Sequence, residues 1–294
     1  MRLWKYIFTF LLLILSVLVI AILQLPDGNL HIIACDVGQG DAILVTYKNI
    51  EILTDGGPGN GVLDCLSKHI PFWDRELELV ILTHPQKDHY FGLIEVFKRY
   101  KVDNFLFNPI ESSSQEYGLL KSAVGGGGVT LLNPHQGMKM GLGLIYLDIL
   151  SPNQELLNGM EEKNGGDAIE KYTTKRDLND FSVVYKLRLN KFNGLFTGDM
   201  SLEGSDTLAL NSTAGTVNYI KIPHHGSKNG LTENLLKTLV PKIAVISVGR
   251  NNTYGHPNKE ILEMLEKYGV KIYRTDEVGD VEFVTDGEKF WMKN

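Results

Sequence analysis

The sequence predicts an α/β fold on three observations. Apolar strand patterns alternate with helical ones through both halves of the chain, several of those strands end in a histidine or a carboxylate, and the chain opens with one long uncharged stretch. That stretch follows Arg2 and Lys5 and runs from Tyr6 to Leu25. Twenty helical residues rise about 30 Å, the thickness of a bilayer's hydrocarbon core, so residues 6–25 are expected to form a transmembrane signal anchor. Pro26-Asp27-Gly28-Asn29 stops the helix with turn residues. The basic flank predicts a single-pass protein in the cell membrane, with its amino end cytoplasmic and the remainder extracytoplasmic. A cleaved signal peptide is the rival reading, but its apolar region is shorter and is followed by a small-x-small site, which Ala21-Ile22-Leu23 does not supply. Ile32-Ile33-Ala34-Cys35 looks like a lipoprotein cleavage box, yet cutting there would remove the first strand.

In the first half, strands are expected near 30–35, 41–47, 50–54, 78–83 and 103–107, with helices near 61–70 and 90–100. Val62, Leu63, Leu66 and Ile70 give the first of these helices an apolar face. Cys65 lies on it, and Cys35 ends the first strand. Both are expected to pack as small hydrophobes, a disulfide being the alternative that an oxidising compartment permits. Gly125-Gly126-Gly127-Gly128 reads as a flexible connection, because no Gly-Lys-Ser or Gly-Lys-Thr follows to make a phosphate loop.

The second half offers strands near 128–132, 143–149, 181–189, 193–197, 216–222 and 243–247, with helices near 201–210 and 231–239. Asn258 is expected to cap a helix with Ile261, Leu262, Leu265 and Tyr268 on one side, which Gly269 ends. Closing strands fall near 271–275, 280–285 and 289–292. Residues 152–180, rich in Asn, Gly, Glu and Lys, read as a long excursion of the kind that covers a site or is mobile.

Composition fits a globular body, with 43% hydrophobic and 22% charged residues. The net charge is −6, and −8 once Arg2 and Lys5 are set aside, which argues against tight nonspecific binding of duplex nucleic acid. Lys221, Lys228, Lys237, Lys242, Arg250 and Lys259 nonetheless cluster around the later histidine segments. They are expected either to be a solvated face or to guide an anionic substrate.

The chemistry concentrates at strand ends. His84-Pro85-Gln86-Lys87-Asp88-His89 follows the apolar run Glu78 to Leu82 and sets two imidazoles and a carboxylate on one tight turn, a donor set suited to zinc or manganese. The plainer reading is a polar loop making ordinary hydrogen bonds. The pattern repeats, however, at Asp55-Gly56-Gly57, Thr197-Gly198-Asp199, Pro223-His224-His225-Gly226-Ser227 and Tyr254-Gly255-His256-Pro257. Five of the eight histidines lie in these segments, which leaves His31, His69 and His135 as structural or solvated.

Together with Asp36-Val37-Gly38-Gln39-Gly40-Asp41, these segments resemble the metallo-β-lactamase superfamily, and within it the metallohydrolase domain that ends ComEC-type competence proteins. The resemblance covers about residues 30–292. It implies a four-layer αββα sandwich over 30–292, following the anchor at 6–25. It also implies two divalent metal ions, manganese or zinc, activating a shared hydroxide for hydrolysis.

On that resemblance the metal candidates are His84, Gln86, Asp88, His89, Asp199, His225 and His224. Asp199 is placed to bridge, and His225 is preferred over its neighbour because the family's ligand precedes Gly and a small residue. Asp88, Asp199 and His256 are the catalytic candidates, His256 for phosphate binding or leaving-group protonation. Asp55 is expected to orient a ligand imidazole. Asp36, Asp41, Asn179, Ser182 and Ser227 are expected near the ligands or the substrate. Gln86 stands where relatives carry a second histidine or an aspartate, and Leu178-Asn179-Asp180-Phe181-Ser182 lacks the histidine that many relatives place there. The first metal would then rest on His84, Asp199 and neutral oxygens, favouring manganese.

Three function classes stay open. The first is an extracytoplasmic phosphodiesterase or nuclease acting on an anionic substrate such as single-stranded DNA or a small phosphodiester. The second is a hydrolase of a small ester or amide, such as a lactone or β-lactam. The third is a non-catalytic binding module that retains the fold. The sequence names no protein partner.

Overall fold

The computed structural model describes residues 2–112, 114–211 and 214–293. An α-helix over Arg2–Leu23 opens the chain, ending two residues before the uncharged stretch does. Its segment Leu3–Leu23 is long and apolar enough to cross a membrane, and none of it is buried among the described residues.

The rest is built on two sheets. The first has eight strands in the order Phe290–Lys293, Val281–Thr285, Leu30–Ala34, Ile43–Tyr47, Ile50–Thr54, Glu76–Leu82, Lys101–Phe107 and Thr130–Leu132. The second has seven, in the order Lys271–Arg274, Ile243–Ile246, Tyr219–Lys221, Phe192–Phe196, Val184–Leu189, Ile145–Ser151 and Lys139–Leu142. Each sheet is antiparallel on one side and parallel on the other. Ile50–Thr54, Glu76–Leu82 and Lys101–Phe107 run parallel in the first, and Phe192–Phe196, Tyr219–Lys221 and Ile243–Ile246 in the second. Parallel neighbours deliver their carboxyl ends to one edge, so the loops that follow are forced together.

Strand alternation sorts side chains into layers. Leu30, Ile32 and Ala34 face the second sheet, meeting Leu147, Tyr185, Leu187 and Phe196 in the central core. Ile33 and Cys35 point the other way, toward the helices Gly61–His69, Leu93–Arg99 and Tyr117–Gly125. On the far side, Leu202–Asn211, Glu233–Leu239 and Lys259–Lys267 cover the second sheet through Leu208, Leu235, Leu236, Ile261 and Leu265. Burying one such Leu or Ile contributes roughly 1.5–3 kcal/mol, and three apolar clusters of this kind hold the strand ends in place. The layers are therefore helix, sheet, sheet, helix, as the resemblance implied.

Several local expectations are corrected. Cys35 and Cys65 form a disulfide instead of packing as free thiols. Strand alternation turns Cys35 toward the covering helix, the buried face of that helix presents Cys65, and the Cα atoms end 5.8 Å apart, within bridging range. Asn258 flanks its helix without capping it, because its Oδ1 accepts from Lys228 N at 2.7 Å. The strand expected at 143–149 is the second arm of a hairpin, Lys139–Leu142 with Ile145–Ser151. The excursion is pinned down: Gln154–Asn158 is a short helix capped by Asn153, Glu161–Glu162 pairs with Tyr172–Thr173, and buried Glu170 holds Lys121 and Lys163. Gly125 to Gly128 trail off the end of a helix.

The disulfide closes a loop of 30 residues. Its loss frees that loop in the unfolded chain, an effect of about 3.6 kcal/mol by chain entropy. Reduction, or C35A/C65A together, should lower the thermal midpoint by roughly 7–14 °C in differential scanning calorimetry.

Candidate metal centre

The loops after the parallel strands meet around three imidazoles. His89 and His84 come from the turn after Glu76–Leu82, and His225 from the turn after Tyr219–Lys221. Each has its Nδ1 occupied. His89 Nδ1 donates to Asp55 Oδ2 at 2.8 Å, His225 Nδ1 donates to the Ser247 carbonyl at 2.9 Å, and His84 Nδ1 lies 3.0 Å from Thr83 Oγ1. Each leaves its Nε2 buried and without a hydrogen-bond partner. Asp199 Oδ1 and Asn179 Oδ1 are buried and unpartnered as well. A side chain fixed at one nitrogen and bare at the other is the arrangement that holds a metal-ligating histidine in place.

Asp88, His89, Asp199 and His225 each offer an atom within 4.8 Å of the others. The Nε2 atoms of His89 and His225 both stand 3.3 Å from Asp199 Oδ2, and 3.9 and 3.6 Å from Asp88 Oδ2. Two nitrogens and two carboxylates make a donor set for a divalent cation. Asp88, with its side chain 35% exposed, forms the open side, while the other three are buried. His84 lies beside this group, its ring centroid 4.2 Å from that of His89. Asn179 Oδ1 is buried without a partner, and the Gln86 side chain reaches His84.

Backbone geometry makes the meeting possible. His224 and His225 both adopt left-handed conformations, φ 52° and 54°, which rotates consecutive side chains apart. His225 points in, and His224 points out, its ring 5.9 Å from His256. Of the two candidates, His225 therefore joins the group and His224 does not. A side chain at Gly40 would collide with the Asp88 carbonyl, and one at Gly198 would reach 2.8 Å from Thr83 Cβ, so both glycines permit close loop contact. Asp55, with φ +60°, accepts from Thr83 N and Thr83 Oγ1 at 2.8 Å each besides holding His89. Ser182 Oγ accepts from Asp199 N at 3.3 Å.

Lys221 is the residue whose role sequence reading missed. It is fully buried, paired with Asp41, 3.6 Å from Asp199 Oδ1, and donates to the Gly198 carbonyl at 3.1 Å. Asp41 in turn lies 3.4 Å from His225 Nδ1. A lysine within the strand Tyr219–Lys221, directly before the histidine turn, was the available signal. The remaining basic residues fit a solvated face: Lys237 pairs with Glu233, Lys259 with Glu263, Arg250 bonds the Asp276 carbonyl, and Lys242 rests over Phe290. Asp36 also leaves the site, exposed at the surface with its amide donating to Asp280. Ser227 Oγ accepts from Asn229 N and caps a turn.

Electrostatics follow from this crowding. Burial pushes His84 down to about 3, with neighbouring His89 adding to the effect, so it stays neutral. Burial opposes a charge on His89 and His225 too, but Asp199 first, then Asp55 for His89 and Asp41 for His225, raise both well above the ordinary value. Burial lowers His224 and His256, and His256 Nδ1 is unpartnered. Tyr254, exposed to solvent, stacks on the His256 ring at 6.0 Å.

Residues 35–250 match the family described as the metallo-beta-lactamase superfamily. The chain belongs to that superfamily. It is 25% identical over 278 residues to ComE operon protein 3 of Bacillus subtilis (strain 168), covering 87% of this chain and 33% of the relative. It is 26% identical over 262 residues to Recombination protein 2 of Haemophilus influenzae, covering 88% and 29%. Competence protein ComA of Neisseria gonorrhoeae is 23% identical over 265 residues, covering 88% and 33%. The ComEC-type resemblance is thus shared by curated relatives of which the chain spans about a third of the length. Among solved structures, the metallo-beta-lactamase fold protein YhfI from Bacillus subtilis superposes with a TM-score of 0.55 at 10% identity, over 90% of this chain and all of that one. CmlA, a diiron beta-hydroxylase from Streptomyces venezuelae, gives 0.52 at 14% identity, over 85% and 53%. These two show the fold. The fold is that of metal-dependent hydrolases, and with the His and Asp cluster it points to divalent metal binding.

Two predictions follow from the charges. In the metal-free protein at neutral pH, His89 and His225 carry protons that a cation must displace, whereas His84 carries none. Metal binding should release about two protons and tighten as pH rises, measured by calorimetry in buffers of different ionisation enthalpy. Lys221→Met strands Asp41 without its partner and should cost about 3–5 kcal/mol in urea denaturation.

Proposed function

We propose that this chain is a membrane-anchored, extracytoplasmic phosphodiesterase or nuclease that uses two divalent ions, manganese in preference to zinc. The observation that carries the reading is the convergence of Asp88, His89, Asp199 and His225, with unpartnered nitrogens facing a side open to solvent at Asp88. Asp88, His89, His225 and Asp199 would hold one ion. Asp199, His84 and the neutral oxygens of Asn179 and Gln86 would hold the other, more weakly. Bound ions would supply Lewis acidity and lower the pKa of water enough for hydrolysis at neutral pH.

The chain's own residues do the rest. Asp55 fixes the tautomer and orientation of His89. Lys221 keeps Asp41 charged and satisfied beside His225. His256, neutral and with Nδ1 free, hydrogen-bonds a phosphate oxygen at the rim, with His224 beside it. The names of the competence and recombination relatives favour nucleic acid over a lactone or β-lactam. The Cys35–Cys65 disulfide supports the extracytoplasmic side, since such bonds persist in oxidising compartments. The apolar helix Leu3–Leu23 supports the anchor.

The full chain in detergent with added manganese should hydrolyse single-stranded DNA and bis(p-nitrophenyl) phosphate. Asp199→Ala should lower both rates roughly 100-fold or more, as expected when several kcal/mol of metal stabilisation is lost. Inactivity with manganese, zinc and magnesium alike, or diester hydrolysis untouched by Asp199→Ala, refutes the reading.

A further inference from the structure

A second convergence of metal-ligating groups lies on the helix-covered side of the first sheet. Cys65 and His69 sit four residues apart, on one face of the helix Gly61–His69. Asp280 comes from the loop before the strand Val281–Thr285. One atom from each of these three lies within 4.8 Å of the others, and Cys35 Sγ is bonded to Cys65 Sγ. His69 Nε2 stands 3.1 Å from Asp280 Oδ2. Its Nδ1 faces Glu282 Oε2 at 3.8 Å, and Glu282 is held in turn by His31 at 2.7 Å. A histidine with one nitrogen toward a ligand cluster and a carboxylate behind the other is how zinc-binding imidazoles are oriented. Two thiolates, an imidazole and a carboxylate are zinc ligands.

We propose that Cys35, Cys65, His69 and Asp280 form a zinc site in the reduced chain, so that disulfide and metal are alternative closures of one joint. A dithiol gives two electrons and two protons to the Cys35 and Cys65 sulfurs and itself becomes a disulfide. Metal binding releases the two thiol protons. A disulfide oxidant reverses the sequence, taking the electrons back, rejoining the sulfurs and freeing the ion. Lys68, exposed and resting 2.8 Å from Asp280 Oδ2, swings away when the ion binds. Either closure ties the segment from Cys35 to Asp41, and so the Lys221 partner, to the covering helix.

The test uses the full chain in detergent, reduced with a phosphine, freed of reductant without air, and titrated with cobalt(II) in place of zinc. The chain has two cysteines, so a thiolate-to-cobalt charge-transfer band reports this site whatever the catalytic centre binds. The band should appear and saturate in the reduced chain, be absent from the oxidised chain, and vanish when zinc is added. His69→Gln should weaken the affinity about 10-fold or more. Two titratable thiols with no band, or unchanged affinity in His69→Gln, overturns the proposal. If reduction unfolds the chain, zinc must restore its thermal transition, and failure to do so overturns the proposal equally.

Discussion

The buried pair of Lys221 and Asp41 is the contact on which the site depends. Asp41, Asp55 and Asp199 are buried, and Asp88 is close behind, all within a few ångströms of His89 and His225. Two like charges 4 Å apart cost about 4 kcal/mol even at an effective dielectric of 20, so such a group cannot form without internal cations. Lys221 supplies a permanent one, from the second sheet to a carboxylate on a loop of the first. It thereby joins the two halves of the sandwich chemically at the edge where their loops meet. The central apolar core brings the sheets face to face, and this ion pair sets how the loop ends meet.

Much of this was legible because strand-end chemistry is local. A run of apolar residues followed at once by His84, Asp88 and His89, or by Asp199, needs only the strand to be right for the side chain to reach the sheet edge. Asp55 could be given its orienting role for the same reason: it ends the strand next to the one that delivers His89. The layering was harder. Periodicity marked which side of each strand was apolar, but the family's motifs, in order, were needed to say that two sheets face each other.

Two of the misses are contacts between elements far apart in sequence. Lys221 looked like one more basic residue among several, and nothing local says that its ammonium meets Asp41 across 180 residues of chain. Packing as small apolar side chains was preferred for Cys35 and Cys65 over the disulfide, although one follows the first strand and the other lies on the expected helix. What sequence pattern lacked was the distance between those elements. Asp36 and Asp41 belong to one glycine-rich segment, yet Gly38 and Gly40, with φ of 82° and 145°, turn the chain so that only Asp41 enters the centre. His224 and His225 show the same effect at closer range, since two successive left-handed residues send adjacent imidazoles in different directions.

On the proposed function, the uneven donor set bears on the substrate. The side made by His89, His225, Asp88 and Asp199 carries two carboxylates. The side beyond it adds only neutral His84 and the uncharged oxygens of Asn179 and Gln86. Asp41 is already neutralised by Lys221, and Asp55 is committed to His89 and Thr83. Two divalent cations would therefore exceed the negative charge available from Asp88 and Asp199. An anionic substrate oxygen would correct that excess where a neutral lactone would not, and a low-dielectric pocket makes the difference large.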